Sequence, residues 1–105
     1  MTTLITGATG TVGRSLASEL AATGTPVRAL VRDAERARTL LPEGVELAVG
    51  DFTDRDSLAA AVHGVRQVFL AAPNHPEQVA WESAMIDACV AGGVRRVVKL
   101  SAHGA

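Results

Sequence analysis

Short apolar runs recur along the chain. Each is followed by a glycine or polar break and then by a stretch with helical spacing. The runs are Thr3 to Thr6, Val27 to Arg32, Val45 to Val49, Gln67 to Ala71 and Val97 to Ser101. Most are rich in Val, Leu and Ile on both faces, as strands buried between helix layers are. The third alternates Val45, Leu47 and Val49 with Glu46 and Ala48, the pattern of a strand near a sheet edge. Helical stretches lie between the runs. In the first, Val12, Leu16 and Leu20 fall on one face, and Gly24 with Pro26 closes it. The second runs from Asp33, a predicted N-cap, to about Leu41 and is stopped by Pro42. The third, capped by Thr53 or Asp54, turns Leu58, Ala61 and Val62 inward and ends at Gly64. The fourth starts near Pro76, presents Val79, Ser83, Ile86 and Val90 on one face, and ends at Gly92-Gly93. Strands alternating with helices predict an α/β doubly wound parallel sheet, five strands in order 3-2-1-4-5.

Composition narrows the function classes. At 105 residues the chain is expected to form one domain over 1–105, too small for a cofactor domain plus a separate substrate domain. The net charge of −1 comes without a basic stripe, so neither nucleic acid nor an anionic membrane is an expected partner. No apolar run approaches the roughly 18 residues of a membrane span, and the N-terminus lacks signal-peptide character. Cys89 is the single cysteine, which excludes an internal disulfide and a cysteine-built metal site. A cytoplasmic location is the expectation. The aromatic residues are Phe52, Phe69 and Trp81, and there is no tyrosine.

The sharpest motif is Thr6-Gly7-Ala8-Thr9-Gly10-Thr11-Val12-Gly13, directly after the first strand and opening the first helix. Gly7 permits a tight turn, Gly10 lets backbone approach a pyrophosphate, and Gly13 lets the helix pack close to the strand. Free N–H groups at a helix start then face the phosphates. The spacing G-x-x-G-x-x-G is one residue wider than the common dinucleotide fingerprint, and no Gly-Lys-Ser/Thr follows to make a Walker loop.

This loop resembles the nucleotide loop of the NmrA-like, atypical short-chain dehydrogenases/reductases. Val31-Arg32-Asp33, Gly50-Asp51-Phe52, Ala72-Pro73-Asn74-His75-Pro76 and Val97-Val98-Lys99-Leu100-Ser101-Ala102 match that family in order and spacing. The resemblance spans the whole chain and implies a Rossmann-type fold that binds NADP(H) or NAD(H). It implies that Arg32 takes the 2′-phosphate of NADP and that Asp51 and Phe52 contact adenine. It also implies that backbone at Ala71, Ala72 and Pro73 borders the nicotinamide-side ribose. Family members include quinone reductases that transfer hydride and a transcriptional regulator that senses dinucleotide without chemistry.

The residues themselves leave alternatives beside these roles. Asp33 is placed either to bind a ribose 2′-OH or to cap the second helix. Asp51 also suits a turn that bonds its own backbone, and Phe52 also suits the core. Asn74 and His75 face substrate or cap a helix. Lys99 and Ser101 share a strand face, but the absence of tyrosine removes the Tyr-x-x-x-Lys pair of related dehydrogenases. The expected cofactor-binding set is Gly7, Thr9, Gly10, Thr11, Val12, Gly13, Arg32, Asp51, Phe52, Ala71, Ala72 and Pro73, with no catalytic residue assigned and no metal. NADP(H) is the preferred cofactor, with NAD(H) second. The expected function is the cofactor-binding part of a quinone-reductase-like, NADPH-dependent oxidoreductase with a small quinone-like substrate. The rivals are a dinucleotide sensor and a cofactor-binding fragment without activity. A homo-oligomer or a C-terminal lobe of a longer architecture is expected to complete it.

Overall fold

The computed structural model describes residues 2–7, 10–71 and 76–99. Within them the elements run β1 (Thr2–Thr6), α1 (Thr11–Ala22), β2 (Val27–Val31), α2 (Ala34–Leu40), β3 (Glu46–Val49), α3 (Arg55–Val62), β4 (Val65–Leu70), α4 (Gln78–Ala91) and β5 (Arg96–Lys99). All neighbouring strands are parallel, and the sheet order is β3-β2-β1-β4-β5. The chain therefore winds outward from β1 to β3 and crosses back to build β4 and β5 on the other side. The reversal lies between β1 and β4, where open α/β sheets leave a crevice at the carboxyl ends of the strands.

Strand alternation divides the interior into two layers. Leu4 packs with Leu58, Val62, Val68, Leu70 and Met85 beneath α3 and α4. Its neighbour Ile5 faces the opposite layer, with Ala17, Val27, Ala29 and Val31 beneath α1 and α2. A strand covered on both sides must carry apolar residues on both sides, as Leu4 and Ile5 do on β1 and Leu30 and Val31 on β2.

The helix caps follow from local chemistry. Asp33 accepts a hydrogen bond from the Arg36 amide at 3.1 Å and starts α2. Asp54, not Thr53, caps α3, accepting from the Asp56 and Ser57 amides. Leu58, Ala61 and Val62 are buried as their spacing predicts. Gly64, at φ +74°, turns the chain directly into β4, which begins at Val65 rather than at Gln67. Arg28 locks this corner. Its Nε donates to Glu46 Oε1 at 2.8 Å, and its Nη1 donates to the carbonyls of Ala61 and His63 at 2.7 and 2.8 Å.

Two helices are rotated from the expected orientation. On α1 the buried positions are Gly13 and Ala17, with Leu16 and Leu20 half-buried beside them, while Val12 is 57% exposed. Small residues at the contact line let the helix lie close to the sheet, and that rotates Val12 outward. On α4 the inward residues are Glu82, Ala84, Met85 and Cys89. Val79, Ser83, Ile86 and Val90 face outward, with Val79 and Val90 about three-quarters exposed. This helix is apolar on both sides, so its pattern alone does not select the buried face. On the edge strand β3, Leu47 and Ala48 are half-buried while Val49, expected to alternate inward with Leu47, is exposed. Second-strand pairing ends at Val31, which leaves Arg32 just beyond it. Described pairing in β5 ends at Lys99, and Ser101 lies outside the described residues.

Candidate dinucleotide pocket

A cavity of about 170 Å³ opens where β1 to β4 end. It is lined by Gly7, Leu30, Val31, Arg32, Gly50, Asp51, Phe52, Ala71 and Trp81. Thr6 fixes its floor. This fully buried hydroxyl donates to the Ala71 carbonyl at 3.1 Å and lies 2.8 Å from the Ala71 amide, whose hydrogen bond it accepts. The ends of β1 and β4 are thus pinned together at the point where the strand order reverses.

The first and second glycines of the loop do different things. Gly7 sits at φ +67°, and a Cβ there would lie 2.8 Å from the Ala71 carbonyl oxygen. It is needed by the fold. Gly10 has ordinary extended geometry (φ −78°, ψ 170°) and is the N-cap of α1. Among the described residues a Cβ on Gly10 would meet only the Gly7 carbonyl oxygen, at 3.3 Å. Its amide donates to that oxygen at 3.0 Å, and its own carbonyl accepts from Arg14, closing the first turn. Among the described residues no side chain caps α1, and its first turn holds no acidic residue. Of the other expected loop residues, Gly13 is buried on the sheet-facing side of α1, Thr11 opens the helix, and Val12 is exposed. Thr9 and the Thr11 side chain lie outside the described residues.

Arg32 reaches the cavity from the end of β2 and is exposed. Among the described residues no carboxylate lies within ion-pair distance of it. Its neighbour Asp33, the other candidate for a ribose contact, is committed to the α2 cap. Gly50 follows β3 because a Cβ there would lie 2.8 Å from Ser57 Oγ and 2.9 Å from Leu30 Cδ1. Ser57 Oγ in turn accepts from the Asp51 amide at 3.0 Å. The Asp51 carboxylate accepts from both the amide and the hydroxyl of Thr53 at Oδ1, each at 2.8 Å. These two Thr53 hydrogen bonds hold the Asp51 carboxyl below the usual carboxylate range; partial burial opposes them, and the Arg32 charge adds to them. Asp51 therefore makes the local turn and also lines the cavity. Phe52 is likewise shared, packing against the core while bordering the cavity.

Ala71 is where the sequence places it, at the cavity edge. Ala72, Pro73, Asn74 and His75 lie outside the described residues, as do Ser101 and His103. Lys99 is more than a strand-end charge, because its Nζ lies 3.2 Å from Glu82 Oε1, and the Glu82 Oε2 is buried without a hydrogen-bond partner among the described residues. Cys89 is buried, and burial pushes its thiol pKa up.

Three contributors escape a reading of motifs. Thr6 and Ser57 are generic hydroxyls whose partners are distant or local backbone. Trp81 stands on α4, outside any nucleotide motif, yet its ring stacks on Phe52 with centroids 5.9 Å apart and planes within 13°. Its rarity in the chain was the available signal.

Among the described residues no cluster of His, Cys, Asp and Glu could hold a metal ion, and no helix is long and apolar enough to cross a membrane. Arg32 and Asp51 are the ionisable groups on the cavity wall. The arrangement can bind and orient an anionic, ring-bearing ligand.

The profile of the NmrA-like family matches residues 1–102. An NAD(P)H azoreductase of Xenophilus azovorans is 40% identical over 102 residues, covering 97% of this chain and 36% of that protein. A (4-alkanoyl-5-oxo-2,5-dihydrofuran-3-yl)methyl phosphate reductase of Streptomyces griseus is 45% identical over 100 residues, covering 93% of this chain and 33% of its own length. Among solved structures, an NADPH-dependent quinone oxidoreductase of Escherichia coli complexed with NADPH superposes with a TM-score of 0.84 at 28% identity, over 92% of this chain and 35% of that one. The chain spans about a third of the length of these relatives.

Proposed function

The chain belongs to the NmrA-like family, and from that premise we propose that it is the NADP(H)-binding part of a reductase acting on a small electron-accepting ring compound such as a quinone. The observation that carries the reading is the division of labour at the end of β2. Arg32 stands at the cavity without a carboxylate partner among the described residues, while Asp33 is occupied as a helix cap. A guanidinium placed so can bond a 2′-phosphate through two N–H groups.

The residues fit such a cofactor. Among the described residues the Gly10 position presents only the Gly7 carbonyl to an added Cβ, so backbone there can approach a pyrophosphate. The start of α1 offers N–H groups that no described side chain caps. Asp51 and Phe52 border the adenine end, and Ala71 keeps the crevice open beside β1. Thr9, Thr11, Val12, Ala72 and Pro73 complete the assignment on the family pattern, and Gly13 supports it by seating α1. The reduced nicotinamide supplies the hydride when bound. The chain's own part is to hold the dinucleotide by its phosphates and adenosine and to fix its orientation.

A second reading is favoured by one observation. The described cavity wall carries no group suited to deliver a proton to a substrate, as a dinucleotide sensor would also lack. Mixing the chain with NADPH and a quinone panel separates the two. Binding by calorimetry together with loss of NADPH absorbance supports the reductase. Binding without consumption supports the sensor or a cofactor-binding fragment without activity, and absence of binding refutes all of these readings.

A further inference from the structure

We infer that Trp81 is an affinity-determining residue for the adenosine half of the ligand, completing with Phe52 an aromatic wall along one side of the cavity; this rests on the dinucleotide reading above. Trp81 continues the inward line of Met85 and Cys89 on α4 by one turn, to a level where the core has ended and the cavity begins. Phe52 comes from the loop after β3. The two half-buried rings meet across the side of the cavity, at 5.9 Å and nearly parallel. Inserting another ring between them would require about 7 Å, twice the contact distance of about 3.5 Å between carbons. A base therefore meets the pair from the cavity side rather than by intercalation. Arg32 and Asp51 line the same cavity, so the phosphate-binding and amino-accepting groups of an adenosine site share one space with this wall.

The energetic argument concerns what a tryptophan adds there. A leucine would satisfy the packing of α4. An indole adds a broad polarisable surface that stacks on Phe52 and holds that ring in place before a base arrives. The wall is indifferent to what the 2′ oxygen carries, so its effect should be equal for phosphorylated and unphosphorylated dinucleotides. That separates it from Arg32, whose effect falls on the phosphate.

The test uses adenosine 2′,5′-bisphosphate, which carries the adenosine half and no nicotinamide. Trp81 is the only tryptophan, so its emission reports from one place. Titration should change that emission in the parent chain. Trp81→Leu should weaken the bisphosphate, NADPH and NADH alike, by about 5- to 30-fold, the lower part of the range for aromatic–base stacking. Trp81→Phe should recover most of the loss, and far-UV circular dichroism should show both variants folded. Parent affinity in a folded Trp81→Leu variant, or binding that leaves the emission unchanged, overturns the role of Trp81 and leaves the dinucleotide reading intact. Failure of the parent to bind NADPH or the bisphosphate overturns both.

Discussion

Gly7→Ala and Gly10→Ala should separate folding from binding within one loop. At Gly7 the backbone is at φ +67°, and an added Cβ would lie 2.8 Å from the Ala71 carbonyl oxygen. The left-handed conformation costs a residue with a Cβ about 1–2 kcal/mol. Relieving the contact means moving backbone at the junction of β1 and β4, for about 1–3 kcal/mol more. The expected loss is about 2–5 kcal/mol, on the order of 10–30 °C in Tm for a domain of this size. At Gly10 the backbone is ordinary, and the added Cβ meets one carbonyl oxygen at 3.3 Å. Alanine is a poorer N-cap than glycine by about 0.5–1 kcal/mol, and the Gly7 carbonyl must give by a few tenths of an ångström, so the expected cost stays below that at Gly7. Binding should show the opposite emphasis. A methyl group at Gly10 stands where backbone would approach the pyrophosphate, and NADPH affinity should fall by about 10- to 100-fold. Urea denaturation followed by circular dichroism reads the first effect and calorimetry the second. Equal stability losses in the two variants, or parent NADPH affinity in Gly10→Ala, would refute the assignment of separate tasks to the two glycines.

Three further outcomes are expected. Arg28→Ala removes three hydrogen bonds from a largely buried guanidinium, two of them to carbonyls at the end of α3, and should cost about 2–3 kcal/mol in urea with an unchanged m-value; a loss below about 0.5 kcal/mol would mean that solvent replaces the network. Lys99→Ala leaves the buried Glu82 carboxylate without its cation and should destabilise by about 1–2 kcal/mol, discounted because Lys99 itself is exposed, whereas Glu82→Met should be neutral or stabilising; the reverse order in thermal melts contradicts this. The Asp51 carboxyl is held below its ordinary range by the Thr53 hydrogen bonds, so its contribution is full above the unfolded value of about 3.9 and is lost as pH falls through the folded value. The stability gap between the parent and Asp51→Ala, measured by denaturation at a series of pH values, should narrow on acidification below about pH 4, and a gap constant through the acid range would show that Asp51 acts without its charge.

The sheet order was legible because each strand declares its cover. β1 and β2 carry apolar residues on both faces, and β3 mixes polar and apolar residues as an edge strand does, although strict alternation misplaced Val49. Caps were legible where a side chain has one local use, as at Asp33. Helix orientation was less so. Val12, Leu16 and Leu20 form a regular apolar row on α1, but Gly13 and Ala17 face the sheet because close approach gains more contact than a larger side chain held further away. On α4 the row through Val79 and Val90 and the row through Met85 and Cys89 are both apolar, and only the tertiary contacts with α3 and β4 decide between them. At the pocket, Gly7 and Arg32 were legible from their places after β1 and β2, and Asp51 and Phe52 from the family resemblance. Trp81 was not, because its relation to Phe52 exists only once α4 has docked. Thr6 was not, because its partner Ala71 is far along the chain.

The central claim is that this pocket binds NADP(H) and that Arg32 reads the 2′-phosphate. Calorimetric titration of the parent chain and Arg32→Ala with NADPH and with NADH, at one fixed ionic strength, tests it most directly. The parent should bind NADPH more tightly than NADH. Arg32→Ala should weaken NADPH by about 1–3 kcal/mol, the value of charge-assisted hydrogen bonds at an exposed site, and leave NADH nearly unchanged. Equal losses for the two cofactors would contradict the account by showing that Arg32 acts through packing, and tighter binding of NADH by the parent would contradict it by returning the ribose to Asp33.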